Sequence, residues 1–375
     1  MFKSFKINLS LTSFKLVFMF FKLFPLKKKT TFGTEYGVNV SYVANEIKVQ
    51  TNEEIIILKT ETCLEEFDEN KFKVLVFNRK RIISHLKGIY HLATSRYIII
   101  DSDFLFLAAT PMKPEAKCIQ LWHSTGSVKS FGQVRRTLPH YEKVFERMDY
   151  IVTGSSIMTQ FYKEAFSNRE KNGFITSGIP RTDFFFNESE RQQVRKQLES
   201  DFPLIKEKKV ILYAPTYRDY ELDQTRFEKH LEKLYQELKS DYVLFLSMHP
   251  KDDMVYKNKY PGFIYNVTSY PNINEIAIVS DLLVTDYSSI FFEYSLLNKP
   301  MIFYAFDLEE FKEARGLTID YEAFVPGPVV KTNTELIKRI KQNNFDIKPV
   351  KQFAKEWNEF SKGESSANLV NFLYK

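Results

Sequence analysis

Two histidines and an arginine stand where apolar runs stop. Cys118 to Leu121 runs into Trp122-His123-Ser124-Thr125-Gly126. Tyr242 to Leu246 leads to Met248-His249-Pro250, and Val210 to Tyr213 leads to Thr216-Tyr217-Arg218-Asp219. Histidine is the natural proton acceptor near neutral pH, and α/β enzymes place catalytic groups outside the carboxyl ends of their strands. His123 is therefore a candidate base, or simply a polar residue at a sheet edge. Arg218 at a strand end is a candidate phosphate clamp, because its planar fork matches phosphate oxygens.

A fourth place is Asp281 to Asp307, DLLVTDYSSIFFEYSLLNKPMIFYAFD. Leu282 to Thr285 reads as a buried strand. Ile290, Phe291, Tyr294 and Leu297 recur at helical spacing, so a helix is expected to start at Ser288 and Ser289. Met301 to Ala305 is the next strand. Backbone N–H groups at such a helix start, with two serine hydroxyls, suit a phosphate, and Glu293 could accept hydrogen bonds from ribose hydroxyls. The plain alternative is an N-cap at Asp286 or Ser288 and an exposed Glu293. Asp101-Ser102-Asp103, also at a strand end, could hold a divalent metal or be an ordinary loop.

The elements that would position these groups alternate. Further strands are expected at Ile55–Leu58, Val74–Phe77, Tyr97–Ile100, Tyr150–Thr153 and Phe174–Ser177, with helical patterns between them. The 375 residues exceed what one core usually fills. The expected division is a basic amphipathic segment over 1–29, an α/β domain over 30–187, a second over 188–350 and closing helices over 351–375. Two doubly wound domains facing each other would bring the strand ends into one cleft. His230, on a charged helix, is expected at the surface.

Seven of the 53 basic residues lie among residues 1–29, which contain no acid, leaving 46 basic against 47 acidic residues. A neutral body with a basic tag argues against a broad nucleic-acid surface. Phe14 to Phe24 is interrupted by Lys15 and Lys22, too short an apolar run to span a bilayer. An interfacial helix in the cytoplasmic leaflet is expected, with Lys27-Lys28-Lys29 facing anionic head groups; the alternative is a helix docked on the body. Cys63 and Cys118 form no disulfide or zinc pattern and suit a reducing compartment.

The chain resembles the CDP-glycerol glycerophosphotransferases of wall teichoic acid synthesis over roughly residues 30 to 365. The resemblance is carried by QLWHSTGSVKSFG (Gln120 to Gly132), SGIPRTDFF (Ser177 to Phe185), ILYAPTYRD (Ile211 to Asp219), LSMHP (Leu246 to Pro250), Ser280 to Phe311, ARG (Ala314 to Gly316) and PGP (Pro326 to Pro328). It implies a GT-B-like α/β fold, two Rossmann-type domains around a central cleft, and an N-terminus that associates with the cytoplasmic face of the membrane. Polymerases of the family usually carry Trp-His-Gly-Thr-Pro followed by Leu-Lys. Ser124 in place of that glycine looks more like the glycerol-phosphate primase branch.

The implied reaction moves one glycerol phosphate from CDP-glycerol to undecaprenyl-diphosphate-linked N-acetylmannosaminyl-N-acetylglucosamine, with release of CMP. By the resemblance, His123 is the general base and His249 donates to the transferring phosphoryl group or the leaving oxygen. Arg218 clamps the diphosphate; Thr285, Asp286, Ser288 and Ser289 line the diphosphate and glycerol end; Glu293 holds the ribose. No motif requires a cofactor, and a divalent metal is compatible but not indicated. The rivals are a family member that extends glycerol- or ribitol-phosphate chains, a GT-B nucleotide-sugar glycosyltransferase, and a non-catalytic membrane scaffold, for which two such histidines would have no use.

Overall fold

The computed structural model describes residues 2–126, 128, 139–166, 173–218, 224–248, 258–317 and 319–375. The chain divides into two compact units. Unit 1 comprises Met1–His123, Phe131–Asp183 and Phe360–Lys375; unit 2 comprises Ser124–Ser130 and Phe184–Glu359. The helix Lys348–Trp357 thus belongs to unit 2, and the last helix, Ser365–Tyr374, belongs to unit 1.

Unit 1 is built on seven strands: β1 (Lys27–Thr34), β2 (Glu54–Lys59), β3 (Lys73–Val76), β4 (Ser95–Ile100), β5 (Lys117–Gln120), β6 (Tyr150–Val152) and β7 (Gly173–Ile175). Their order is β3-β2-β1-β4-β5-β6-β7, and every pairing is parallel. Parallel strands covered on both faces bury every side chain, which is why Ile55–Leu58 and Ile98–Ile100 are unbroken apolar runs. Unit 2 repeats the plan with β8 (Lys209–Ala214), β9 (Tyr242–Leu246), β10 (Ile264–Asn266), β11 (Leu282–Thr285), β12 (Met301–Tyr304) and β13 (Val329–Val330), ordered β10-β9-β8-β11-β12-β13 and again all parallel. Both sheets are doubly wound. Their winding reverses between β1 and β4 and between β8 and β11, the places where such sheets open a crevice at their carboxyl ends.

The start of the chain differs from expectation. Lys27-Lys28-Lys29 is not a tail but the beginning of β1, in the interior of the sheet. Lys29 is wholly buried. Its Nζ lies 2.6 Å from Thr94 Oγ1, 3.0 Å from His91 Nδ1 and 4.7 Å from the centre of the Tyr90 ring. Burial pushes the Lys29 ammonium down to about 8. Unfolded, the same lysine titrates near its ordinary value of 10.5. Between pH 8 and 10.5 the unfolded chain therefore holds a proton that the folded chain has lost, and stability rises with pH across that window. Replacing Lys29→Gln is expected to flatten this part of the stability–pH curve, measured by urea unfolding.

The first helix, α1 (Phe2–Phe21), is docked on unit 1 through Leu11, Phe14 and Phe18. Phe14 stacks 5.8 Å from Phe106 and meets Phe77 and His85, the latter on helix α3 (Ile82–Thr94). The opposite face of α1 exposes Leu9, Leu16, Met19 and Phe20, and α3 exposes Ile82, Ile83 and Leu86. No helix among the described residues is long and apolar enough to cross a membrane.

Candidate active site

In unit 1 the chain leaves β5 through Trp122, whose φ of 57° is left-handed. For a bulky L-residue this costs on the order of 1–3 kcal/mol and persists only when the surroundings impose it. Here they do. Trp122 N–H donates to Gln120 Oε1 at 2.8 Å, its carbonyl accepts from Asn39 Nδ2 at 2.9 Å, and its ring stands edge-on to Phe166. The kink lays the His123 imidazole against Tyr36, with ring centres 4.1 Å apart and planes 19° from parallel.

The proton placement on His123 follows from its neighbour. Nδ1 lies 3.0 Å from the backbone carbonyl of Asp101. A carbonyl only accepts, so Nδ1 carries the hydrogen and Nε2 keeps the lone pair of the neutral ring. That is the tautomer a general base needs.

Asp101 is itself held firmly. Its carboxylate accepts from Thr34 Oγ1 and from the backbone N–H groups of Glu35, Tyr36 and Gly37, at 2.9–3.1 Å for the three amides. These amides precede α2 (Val38–Gln50), so Asp101 caps that helix from β4, across the point where the winding of the sheet reverses. Gly37 has φ 90°, a conformation suited to glycine, and a Cβ there would collide with Glu65. Burial pushes the Asp101 carboxyl up, against hydrogen bonds that pull it down. A carboxylate with four donors is a structural clasp. Among the described residues no group of three or more His, Cys, Asp or Glu side chains is arranged to hold a metal ion.

Arg181 and Asn39 complete this half. Arg181 Nη2 donates to the His123 carbonyl at 2.9 Å, and Arg181 N–H donates to Asn39 Oδ1 at 3.0 Å. Asn39 thereby ties the peptide that enters His123 to the backbone of Arg181. Neither residue was singled out from the sequence. Arg181 lay inside a quoted motif, but nothing in its spacing tied it to His123.

In unit 2, Arg218 and Asp286 meet where the winding reverses between β8 and β11. Asp286 Oδ1 accepts from the N–H groups of Thr216 (2.8 Å) and Tyr287 (2.6 Å), and Oδ2 pairs with Arg218 Nη1 at 2.7 Å. The remaining face of the guanidinium makes a two-pronged bond to Asp307, with Nε and Nη2 each 2.9 Å from a carboxylate oxygen. Tyr287 Oη adds a bond to Asp307, and Tyr321 Oη donates to the Asp286 carbonyl. Burial works against the Arg218 charge, but the pull of Asp286 and Asp307 outweighs it and raises its pKa.

This geometry differs from the phosphate clamp expected of Arg218. The side chain is buried between two carboxylates and braces the turn after β11. Thr285 is likewise turned inward, its hydroxyl donating to the Ala214 carbonyl of β8 at 2.7 Å. Glu293 is buried rather than exposed. One of its oxygens accepts from Thr125 Oγ1 and the other from Asn274 Nδ2 at 2.9 Å. It therefore fixes the segment that follows His123 in sequence.

The helix expected at the serines is a single turn, Ile290–Tyr294, continued by a 3₁₀ turn over Ser295–Leu297. So short a helix has little macrodipole, and what it offers an anion is mainly hydroxyls and local N–H groups. Ser288 and Ser289 are half-buried, in contrast to the buried Arg218, Thr285, Asp286 and Glu293. His230 is also corrected. It is buried, stacked 4.9 Å from Tyr304, and burial pushes its imidazole down to about 4. His249 lies outside the described residues.

The CDP-glycerol:poly(glycerophosphate) glycerophosphotransferase family model matches residues 17–375. The teichoic acid poly(ribitol-phosphate) polymerase of Bacillus spizizenii is 33% identical over 98% of this chain, which spans 59% of that protein. The teichoic acid glycerol-phosphate primase of Bacillus subtilis is 35% identical over 80% of this chain and 78% of its own length. In fold, the chain matches a variant of the wall teichoic acid polymerase TagF soaked with CDPG, with a TM-score of 0.79 and 22% identity, covering 100% of this chain and 98% of that one. It also matches the UDP-GlcNAc 2-epimerase of Methanocaldococcus jannaschii, with a TM-score of 0.58 and 15% identity, covering 92% and 99%. With two doubly wound parallel sheets and the match running over nearly its whole length, the chain belongs to the CDP-glycerol:poly(glycerophosphate) glycerophosphotransferase family.

Proposed function

We propose that the protein transfers one glycerol phosphate from CDP-glycerol to an undecaprenyl-diphosphate-linked N-acetylmannosaminyl-N-acetylglucosamine and releases CMP. The observation that carries this is the His123 ring, whose Nδ1–H donates to the Asp101 carbonyl, so that Nε2 bears the lone pair of the neutral ring. Nε2 takes the proton of the sugar hydroxyl as that oxygen attacks phosphorus. The new O–P bond forms in line with the breaking P–O bond to CMP. His249 protonates or hydrogen-bonds the leaving side. Ser288 and Ser289 donate to the phosphates, while Arg218, Asp286 and Asp307 hold their turn rigid and Glu293 holds the loop after His123. The acceptor is assigned to unit 1, with His123, and CDP-glycerol to unit 2, with the Asp286 turn.

The relative named a primase and the Ser124 variation favour a single addition. The similar identity to a ribitol-phosphate polymerase makes chain extension and a CDP-ribitol donor the competing reading. Mass spectrometry of a reaction with CDP-glycerol and a short-chain lipid-diphosphate disaccharide separates them. One added glycerol phosphate with matching CMP is expected. A ladder of additions would make the protein a polymerase, and product only from CDP-ribitol would reassign the donor.

The exposed apolar residues of α1 and α3 are the surface that rests on the cytoplasmic leaflet, beside Lys15 and Lys22. Leu16→Ser with Phe20→Ser alters two exposed side chains and leaves the docked face intact. Each buried apolar side chain is worth about 1.5–3 kcal/mol, so co-sedimentation with anionic vesicles is expected to weaken at least about tenfold. Unchanged sedimentation would move the membrane contact elsewhere.

A further inference from the structure

Unit 2 contains a cavity of about 440 Å³ on the side of its sheet away from the Asp286 turn. It lies where β11 and β12 begin, between the helix Glu188–Asp201, the end of the helix Ile273–Val279 and the loop Leu296–Lys299. Ile278, Leu296 and Leu297 give it apolar walls, and Arg191, Arg195 and Lys299 give it three cations against the single carboxylate of Glu188.

The cations are unevenly compensated. Lys299 Nζ donates to the carbonyls of Ile278 (2.8 Å) and Ser280 (2.7 Å), which uses two of its three hydrogens on neutral acceptors. Arg195 Nη2 donates to the same Ile278 carbonyl at 3.0 Å, so two positive groups share one oxygen. Arg195 faces Glu199 only at 3.9 Å, whereas Arg191 is paired with Glu188. The Arg191 Nε–H is shielded from solvent and has no acceptor among the described residues. Burial pushes the Lys299 ammonium down to about 8, with Arg195 and Arg191 pushing the same way against the attraction of Asp281.

We infer that this cavity is a second anion site, built to take the phosphate group of a small phosphate ester. Two guanidinium forks and an ammonium around one opening match the oxygens of a phosphate. The apolar walls receive the carbon skeleton of the esterified alcohol. An anion seated there relieves the repulsion among the three cations and completes the donors of Arg191 and Lys299. The site is independent of the transfer reaction proposed above; only the identity of the alcohol leans on that reading.

The test is calorimetric titration of the full chain at pH 8 with glycerol phosphate, CMP and inorganic phosphate in turn, in two buffers of different ionisation enthalpy. Saturable binding of glycerol phosphate is expected, with net proton uptake as Lys299 becomes fully charged. The variant Arg191→Gln/Arg195→Gln changes two partly exposed side chains and is expected to weaken that binding at least about tenfold. Its CMP release from CDP-glycerol and acceptor should be unaltered. Equal, variant-sensitive binding of all three ligands would assign the site to the phosphate group alone. A preference for glycerol phosphate would add recognition of the alcohol. Binding that the double variant leaves unchanged, or no saturable binding of any of the three up to the millimolar range, overturns the inference. Because the readout is binding, a failure of the proposed reaction would appear separately, as absent CMP release from the intact chain.

Discussion

His123→Ala is expected to lower the rate of CMP release by about 10²–10⁴-fold while the affinity for CDP-glycerol stays within about twofold. The expectation rests on the separation of tasks in the structure. His123 is positioned by Tyr36, Asn39, Arg181 and the Asp101 carbonyl, all in unit 1. The Asp286 turn belongs to unit 2. Removing the imidazole takes away the proposed proton acceptor and leaves that turn, in the other unit, with all its own contacts. Single-turnover rates and equilibrium binding of the donor, measured on the same preparation, check it. A normal rate would sink the base assignment. Asp101→Asn offers a graded companion. The histidine contact is made by the Asp101 backbone, so the variant loosens Tyr36 and the start of α2 without deleting the base, and a smaller loss of rate is expected.

The second large effect is on stability. Arg218→Met is expected to destabilise the protein by about 3–5 kcal/mol, because it leaves Asp286 and Asp307 buried without their shared cation. Urea unfolding measures it. Arg218→Lys should recover only part of the loss, since one ammonium cannot reproduce two prongs to Asp307 and a third contact to Asp286. Arg218→Met/Asp307→Asn should recover more, because one of the stranded charges goes with the arginine. The result also decides between two roles. Unchanged stability combined with lost donor affinity would return Arg218 to the phosphate clamp suggested by its place after a strand.

Much of the architecture was legible because parallel strands buried on both faces leave long apolar runs. Ile55–Leu58, Ile98–Ile100 and Leu282–Val284 could hardly be anything else. Besides the short edge strands β10 and β13, the sequence hid β1, which is central but written Lys-Lys-Lys-Thr-Thr-Phe-Gly-Thr. Its interior is polar and paired: Thr31 bonds Ser95, and Lys29 bonds His91 and Thr94. Hydropathy has no way to register a polar group whose partner stands 62 residues away. The same limit explains the site. His123 after β5 and Asp286 after β11 were visible from their position at strand ends. Their supports were not, because Asp307, Asp101, Asn39 and Arg181 act through the fold, and the sequence has no local pattern for a carboxylate that caps a distant helix. Arg218 shows the converse: its place was read correctly, but its partners could be known only from the structure.

The last helix has a consequence for how the protein comes into being. Leu369, Val370 and Leu373 fill the core of unit 1, Tyr97 Oη donates to the Leu373 carbonyl, and Asp183 caps the start of that helix through Ser365 and Ser366. Domains usually fold in turn as they leave the ribosome, the amino-terminal one first. Here the amino-terminal unit lacks part of its interior until residues 365–374 have been made. Unit 2, whose segments end at Glu359, has its whole sequence earlier. The order of maturation is thereby inverted: the second unit can close while the first waits for Leu369, Val370 and Leu373 to complete its core.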